Sequence, residues 1–365
     1  MKSSSITIGF DASRALTDQK TGTETYSFNI LKHIADLDNT NLYRIYIREG
    51  QPNFRFGKNF AVVPINRKRM WTQIGLANEL KRHPVDVLFV PAHVLPVMYR
   101  GRSVVTIHDI GYLANPKSYA LLDIMYLHWT THYACKMATA VIAVSEKTKS
   151  DIVRVYKCPK EKVHVIYHGV EEGFGRTSKD QTEKYLAEQG IARPYILFLG
   201  TIKPSKGIET LIRAWHKLRS DMEVNLILVG KAGKKSKGLV SMIHASGVRW
   251  LGYVDRQYLP YLLSGAHVLA MPSLYEGFGL PAVEAMACGT PVLVADSGSL
   301  PEVVGDAGII VAENTPENWY AALRRVITDE NLRSSLSQQG RERAKNFSWK
   351  IAAEKTLEVL TAATI

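Results

Sequence analysis

A chain of 365 residues with 46% hydrophobic and 22% charged residues is long enough for two domains with full cores, and its composition excludes disordered and fibrous classes. It contains no run approaching the roughly eighteen apolar residues of a membrane-spanning helix. The net charge of +12 is uneven, with 26 Lys and Arg against 17 Asp and Glu through residue 185, so anionic partners are expected at that half: an anionic membrane surface or phosphorylated substrates. An ordinary solvated basic surface reads equally well, and no nucleic-acid motif accompanies the charge.

The first residues, Met1-Lys-Ser-Ser-Ser, lead into an alternating strand pattern at 6–11 rather than a signal-peptide core. Gly22-Thr-Glu-Thr-Tyr26 opens an amphipathic helix with apolar positions at Tyr26, Ile30, Leu31 and Ile34. Strands are predicted at 42–47, 86–90, 104–107, 140–144 and 163–166, separated by helices near 73–82, 121–137 and 145–156. Residues 171–193 are polar and carry a short helix near 182–188, which marks a domain connection. The alternation restarts with a strand at 195–199, a helix at 207–218, strands at 225–229 and 248–251, and a helix at 258–264. A strand at 267–271 follows, then a loop, a short helix ending at Gly289, and a strand at 291–295. Residues 296–307 read as loop and 308–311 as a strand, before helices at 316–328, 330–345 and 348–362. Short apolar strands alternating with helices predict an α/β fold with mainly parallel sheets covered on both faces. Two such series of similar size predict two doubly wound, Rossmann-like domains, 1–185 and 186–346, facing each other across a cleft.

Polar groups fall beyond the carboxyl ends of the predicted strands, where doubly wound folds place their chemistry. The stretch Ser273 to Leu293 holds two of them. Glu276 lies in a loop with Gly277 and Gly279, and Glu284 about one turn into the helix that Pro281 opens. Acceptor-only carboxylates beside glycines and free helix-start N–H groups suit a ligand with both hydroxyls and phosphate. Gly200 to Gly207 carries Lys203 and Lys206, donors that can neutralise a diphosphate, although a solvated turn fits the spacing as well. His108 and Asp109 end the strand at 104–107, either as a structural pair or as contacts to a substrate hydroxyl. Gly277-Phe-Gly-Leu-Pro-Ala282 formally matches the dinucleotide fingerprint, but five residues separate it from its strand, which weakens an oxidoreductase reading. Arg67-Lys-Arg-Met-Trp71, close to Phe54, Phe56 and Phe60, mixes cations with apolar groups as a membrane-surface contact would, and as an ordinary basic loop would. Cys135, Cys158 and Cys288 lack metal-ligand spacing, and His128 and His132 lack the Glu of H-E-x-x-H, so no metal site is expected.

Glu276-Gly-Phe-Gly-Leu-Pro-Ala-Val-Glu284, continuing Ala-Met-Ala-Cys-Gly-Thr-Pro-Val292, resembles the E-x₇-E signature of the retaining GT-B glycosyltransferases of family four, a group rich in mannosyl- and glucosyltransferases. Gly22-Thr-Glu-Thr-Tyr26, Thr106-Ile-His-Asp109, Ile166-Tyr-His-Gly-Val170, Leu199-Gly-Thr201, Lys206-Gly207 and Ser297-Gly-Ser-Leu-Pro-Glu302 occur in the family's order, so the likeness covers nearly the whole chain. It implies a GT-B fold and a hexosyltransferase using a GDP- or UDP-linked sugar, without cofactor or metal. Glu284 would hold the ribose hydroxyls and Glu276 the donor sugar, with Gly277, Phe278, Gly279 and Leu280 presenting backbone to sugar and phosphates. Lys206, aided by Lys203, would bind the diphosphate, His108 a sugar hydroxyl, and Gly22 would approach the phosphate. His108, Lys206 and Glu276 thus form the implied catalytic set, with Asp109 and Glu24 on the acceptor side. The final helix, 347–365, would rejoin the N-terminal domain. A glycan or lipid-linked glycan is the expected acceptor, in envelope or extracellular polysaccharide synthesis, with the protein cytoplasmic and peripheral at the inner membrane face.

The sequence departs from the family where Glu24 replaces a second loop glycine, and where Thr201 and Ser205 stand at positions that commonly hold an arginine. Lys203 offers charge there without a bidentate fork. A silent nucleotide-sugar-binding protein, and a phosphorylase or sugar-phosphate synthase on the same fold, remain alternatives to transfer.

Overall fold

The computed structural model describes residues 5–17, 20–48, 54, 56–175 and 177–365. Residues 1–4, read above as no signal core, and residue 55, within the aromatic basic stretch, lie outside that set. The chain forms two compact units: Met1–Ile110, Met125–Gly169 and Trp349–Ile365 make the first, Gly111–Ile124 and Val170–Ser348 the second.

Through residue 169 the elements are β1 (Thr7–Asp11), α1 (Gly22–Leu37), β2 (Leu42–Ile47), β3 (Phe60–Pro64), α2 (Ala77–Arg82), β4 (Val87–Val90), β5 (Ser103–Ile107), α3 (Gly111–Ala114), α4 (Leu121–Met137), β6 (Ala140–Ala143), α5 (Glu146–Tyr156) and β7 (Val163–Val165). The first unit's sheet has seven parallel strands ordered β3-β2-β1-β4-β5-β6-β7. β4, β5 and β6 are buried along their whole length, as apolar strands covered on both faces must be. Helix α1 starts with a capping box between Thr21 and Glu24 and buries Tyr26, Ile30, Leu31 and Ile34, the stripe expected from the sequence.

The second unit contains α6 (Lys179–Glu188), β8 (Tyr195–Leu199), α7 (Ile208–Asp221), β9 (Asn225–Val229), α8 (Lys237–Ser246), β10 (Arg249–Trp250), α9 (Leu259–Gly265), β11 (Val268–Met271), α10 (Leu280–Cys288), β12 (Val292–Ala295), α11 (Leu300–Val304), β13 (Ile309–Val311), α12 (Pro316–Thr328) and α13 (Glu330–Ala344). Its six parallel strands run β10-β9-β8-β11-β12-β13. Leu226, Leu228, Val268 and Ala270 pack with Leu211, Trp215, Trp319 and Leu323 in one core. The chain ends in α14 (Trp349–Ala362), part of the first unit, where the Trp349 ring stacks on His168 at 5.4 Å and meets Tyr26 at 6.0 Å.

In each sheet the strand order reverses beside the unit's first strand, between β1 and β4 and between β8 and β11. Those switch points open crevices at the strands' carboxyl ends.

Several details differ from the sequence reading. The main segment of the second unit runs from Val170 rather than 186, because α6 belongs to it, where Tyr185 stacks on Tyr258 and Tyr261, each at 5.4 Å, and the unit also takes in Gly111–Ile124. β3 is an edge strand ending in Pro64, where a missing N–H does no harm. The expected helix at 73–82 begins as a π-helical turn, Trp71–Leu76, before α2. α8 buries only Ile243, too weak a stripe to stand out. The expected loop at 296–307 contains α11, whose Leu300, Val303 and Val304 are buried, so tertiary packing outweighs the turn-forming Ser, Gly and Pro. Pro281 occupies the second position of α10 rather than the first.

Candidate active site

At the β8/β11 switch point two loops lie against each other. Gly207 ends the turn after β8 at φ +66°, and a Cβ there would come within 1.9 Å of the Pro272 carbonyl oxygen. Only glycine permits that approach. Leu274 N–H donates to the Ser205 carbonyl at 2.8 Å, locking the β11 loop to the β8 loop. The Lys206 ammonium consequently pairs with Oε1 of Glu276, and Ser273 Oγ donates to the same oxygen at 2.7 Å. From the other side, the loop after β12 holds Glu276 by its backbone: Ser299 N–H donates to its carbonyl at 2.9 Å. Gly298, at φ +59°, leaves room that a Cβ would lose, 2.2 Å from the same oxygen. Loops from three strands therefore fix one lysine and one carboxylate. The pair is only partly desolvated, with side chains 19% and 14% exposed, so both groups remain within reach of solvent.

Gly277 and Phe278 lead to Gly279, the N-cap of α10, and to Leu280 at its first position. The helix-start N–H groups of this element present positive partial charge. One turn on, Glu284 is 2% exposed and pairs with Arg256 at 2.7 Å. Arg256 also reaches Glu171 at 3.0 Å and lies 5.0 Å from the Phe174 ring centre. Burial raises the Glu284 carboxyl above its ordinary pKa, with Arg256 opposing that shift. Burial alone would lower the Arg256 pKa, but the two carboxylates outweigh it and keep the guanidinium charged. Arg256 and Glu171 were missed from sequence: neither lies in a motif, and a lone arginine before a helix carries no spacing signal. The Lys203 ammonium sits 5.5 Å from the Tyr119 ring centre. The glycines of Gly277 to Ala282 follow the fourth strand of this unit rather than the first, so they shape a loop and do not form a dinucleotide fingerprint.

The remaining expected residues belong to the first unit. His108 follows β5, and its Nε2 donates to the Pro91 carbonyl at 2.9 Å while the ring meets Tyr26 edge-on at 4.9 Å. Burial lowers the His108 pKa, with the Pro91 bond and Asp109 opposing. A carbonyl can only accept, so the neutral ring carries its proton on Nε2 and keeps Nδ1 as an acceptor. Asp109 is half-buried beside it. His93, after β4, was not singled out from sequence; burial and the neighbouring His108 lower its pKa to about 4. Gly22 begins α1, and a Cβ there would meet nothing within 4 Å, so packing does not demand glycine. Glu24 closes the capping box on Thr21 and meets Arg14 at 3.5 Å, a structural occupation for a residue expected near the acceptor. Among the described residues, no helix is long and apolar enough to cross a membrane.

Comparison with known proteins finds family matches in both halves of the chain. A family profile described as "Glycosyl transferases group 1" matches residues 181–343, and one described as "Glycosyltransferase Family 4" matches residues 21–174. The chain is 32% identical over 263 residues to the O-antigen chain mannosyltransferase B of Escherichia coli, covering 70% of this chain and 69% of that protein. It is also 32% identical over 292 residues to an alpha-maltose-1-phosphate synthase of Mycolicibacterium smegmatis, covering 73% and 74%. Among solved structures, Anabaena Alr3699/HepE in complex with UDP-glucose superimposes with a TM-score of 0.78 at 20% identity, over 98% of this chain and 100% of that one. The chain is a member of the group 1, family-four glycosyltransferases and has their two-domain GT-B fold.

Proposed function

We propose that the protein transfers a hexose, of the mannose or glucose type, from a GDP- or UDP-linked donor to a hydroxyl of a glycan or lipid-linked glycan, with retention at the anomeric carbon. The observation that carries the reading is the Lys206–Glu276–Ser273 cluster at the β8/β11 switch point, with the buried Glu284 following on α10. Lys206, Lys203 and the helix-start N–H groups meet the charge that builds on the diphosphate as the anomeric C–O bond breaks, which is where preorganised donors act most strongly. The acceptor oxygen forms its bond to the same face of the anomeric carbon, and its proton passes to the departing phosphate oxygen. Nucleoside diphosphate and glycoside are the products. Glu276 and Glu284 serve as hydroxyl acceptors, since both belong to one loop–helix element rather than flanking a sugar as a hydrolase pair does. His108, neutral with Nδ1 as acceptor, suits a sugar hydroxyl, and Gly22 a close backbone approach.

The name of the Escherichia coli relative supports mannose and a cell-envelope polysaccharide, and the HepE complex supports a uridine nucleotide. The maltose-1-phosphate synthase supports a second reading, in which a sugar phosphate is the acceptor. A panel of GDP- and UDP-hexoses scored by thermal shift identifies the donor, because ligand binding stabilises the native state. Acceptor glycans and sugar phosphates are then assayed for transfer. Lys206→Ala and Glu284→Gln should each lower transfer by about a hundredfold or more with the fold intact. Full activity in both overturns the assignment. With positive charge supplied by lysines and N–H groups, added chelator should leave turnover unchanged, and a strict requirement for metal contradicts this reading of the site.

A further inference from the structure

Helix α4 has two unlike faces. At about 100° per residue, Thr130, Thr131, Ala134 and Cys135 fall on one arc and are buried. The opposite arc carries Leu122, Met125, Tyr126, Trp129 and Tyr133, of which the first four are 79%, 60%, 50% and 48% exposed. Leu121, in the same first turn, is 71% exposed. A surface helix ordinarily turns polar residues outward, so this face is anomalous. Trp129 stacks on Tyr133 at 5.9 Å, and the Tyr133 hydroxyl donates to the Val97 carbonyl at 2.7 Å, which holds the aromatic pair in place. Met98, 78% exposed, continues the patch beyond Val97.

The outward arc of α4 and the segments beside it offer cations. The single acid of α4, Asp123, is paired with Lys234 at 3.1 Å, and the outward arc has no carboxylate. Lys136 lies on the arc and is exposed. Arg100 donates to the Tyr133 hydroxyl at 3.1 Å, and Lys162 to the Ala138 carbonyl at 2.9 Å, just past the helix end. In the stretch at 54–71 that the sequence suggested for such a role the rings are packed, with Phe54 meeting Phe56 at 5.0 Å, Phe56 stacked on Phe60 at 5.5 Å, Phe60 on Tyr43 at 4.2 Å and Trp71 2% exposed, while Arg67, Lys68, Arg69 and Met70 are exposed.

We infer that the outward face of α4 docks on an anionic lipid bilayer, the helix lying in the interface plane. Tryptophan and tyrosine with an apolar body and a polar tip suit the headgroup level, leucine and methionine the acyl boundary, and the cations the lipid phosphates. A second copy of the chain fits less well. An isologous contact would set Arg100 and Lys136 of each copy against the same cations of the other. The inference stands on this surface alone and does not depend on the sugar-transfer reading.

Co-sedimentation of the full chain with vesicles tests it. One set is pure phosphatidylcholine and the other contains about one-third phosphatidylglycerol, each at low and high salt. We expect binding to the anionic vesicles that weakens with salt. Leu122→Gln combined with Met125→Gln and Trp129→Gln should lower partitioning at least tenfold, and Arg100→Glu with Lys136→Glu should remove the preference for the anionic lipid. Melting temperature and donor-induced thermal shift should match the unsubstituted protein, which separates lost docking from lost folding. Absence of vesicle binding by the unsubstituted protein, or unchanged partitioning of the triple variant, overturns the inference. A concentration-dependent dimer in sedimentation velocity that the triple variant abolishes also overturns it, assigning the face to self-association.

Discussion

Arg256 is the residue on which the environment of Glu284 turns. In Arg256→Met the guanidinium that contacts Glu284 at 2.7 Å and Glu171 at 3.0 Å disappears, leaving two carboxylates without their shared cation. Removing one partner of a buried pair costs about 3–5 kcal/mol. Arg256 is 23% and Glu171 30% exposed at the side chain, so water softens the loss, and about 2–4 kcal/mol is expected. For a unit of this size that is a fall in melting temperature of roughly 5–15 °C. The loss should depend on pH. Burial already raises the Glu284 pKa, and removing the opposing cation raises it further. A carboxyl with a raised folded pKa favours the folded state while protonated, below its unfolded pKa near 4.5, and that contribution is lost as pH rises through the folded value. Arg256→Met should therefore be closer to the unsubstituted protein at pH 5 than at pH 8. Glu284→Gln in the Arg256→Met background should recover part of the stability, because the second charge is gone, and a double-mutant cycle on melting temperatures reads the coupling. A loss that is equal at both pH values, with no recovery in the double variant, refutes the electrostatic account of this cluster.

Two further outcomes are expected. Gly22→Ala should leave stability within about 0.5 kcal/mol, since its Cβ meets nothing, yet lower transfer about tenfold or more if ligand approaches the backbone there; unchanged activity removes Gly22 from the site. At Asp38, burial alone would raise the carboxyl pKa, but hydrogen bonds from Tyr43, Thr40 and Asn41 outweigh it and bring it to about 2. A depressed acid contributes stability above its unfolded pKa of 3.8 and loses it as pH falls through the folded value. Unfolding of the unsubstituted protein between about pH 4 and pH 2 should thus lose on the order of 1–2 kcal/mol more than Asp38→Asn does, after allowance for solvent screening. Equal acid sensitivity of the two proteins contradicts that role.

Much of the architecture follows from local pattern. Strands such as β5 and β8, and helices such as α1 and α12, lie where apolar periodicity and capping residues place them, because a strand covered on both faces and a helix with one buried stripe each leave a repeat in the sequence. The loops that carry Glu276, Glu284 and Lys206 were legible as well, since glycines and a helix stop at fixed offsets mark them. The sequence did not disclose that Gly207 and Gly298 clamp the Glu276 loop from both sides. Those contacts join residues more than twenty positions apart and depend on which strands are neighbours.

The sequence by itself determined the two α/β series, the family and the loop and helix that carry Glu276 and Glu284, because each rests on short-range spacing. Only the tertiary structure decided that Glu284 is buried against Arg256, and that the rings of Phe54, Phe56 and Phe60 pack on one another while α4 turns its apolar face outward. The physical reason is common to both. Burial, ion pairing and exposure are properties of a residue's neighbours in space, and those are set by the order of the strands rather than by the residues adjacent in the chain.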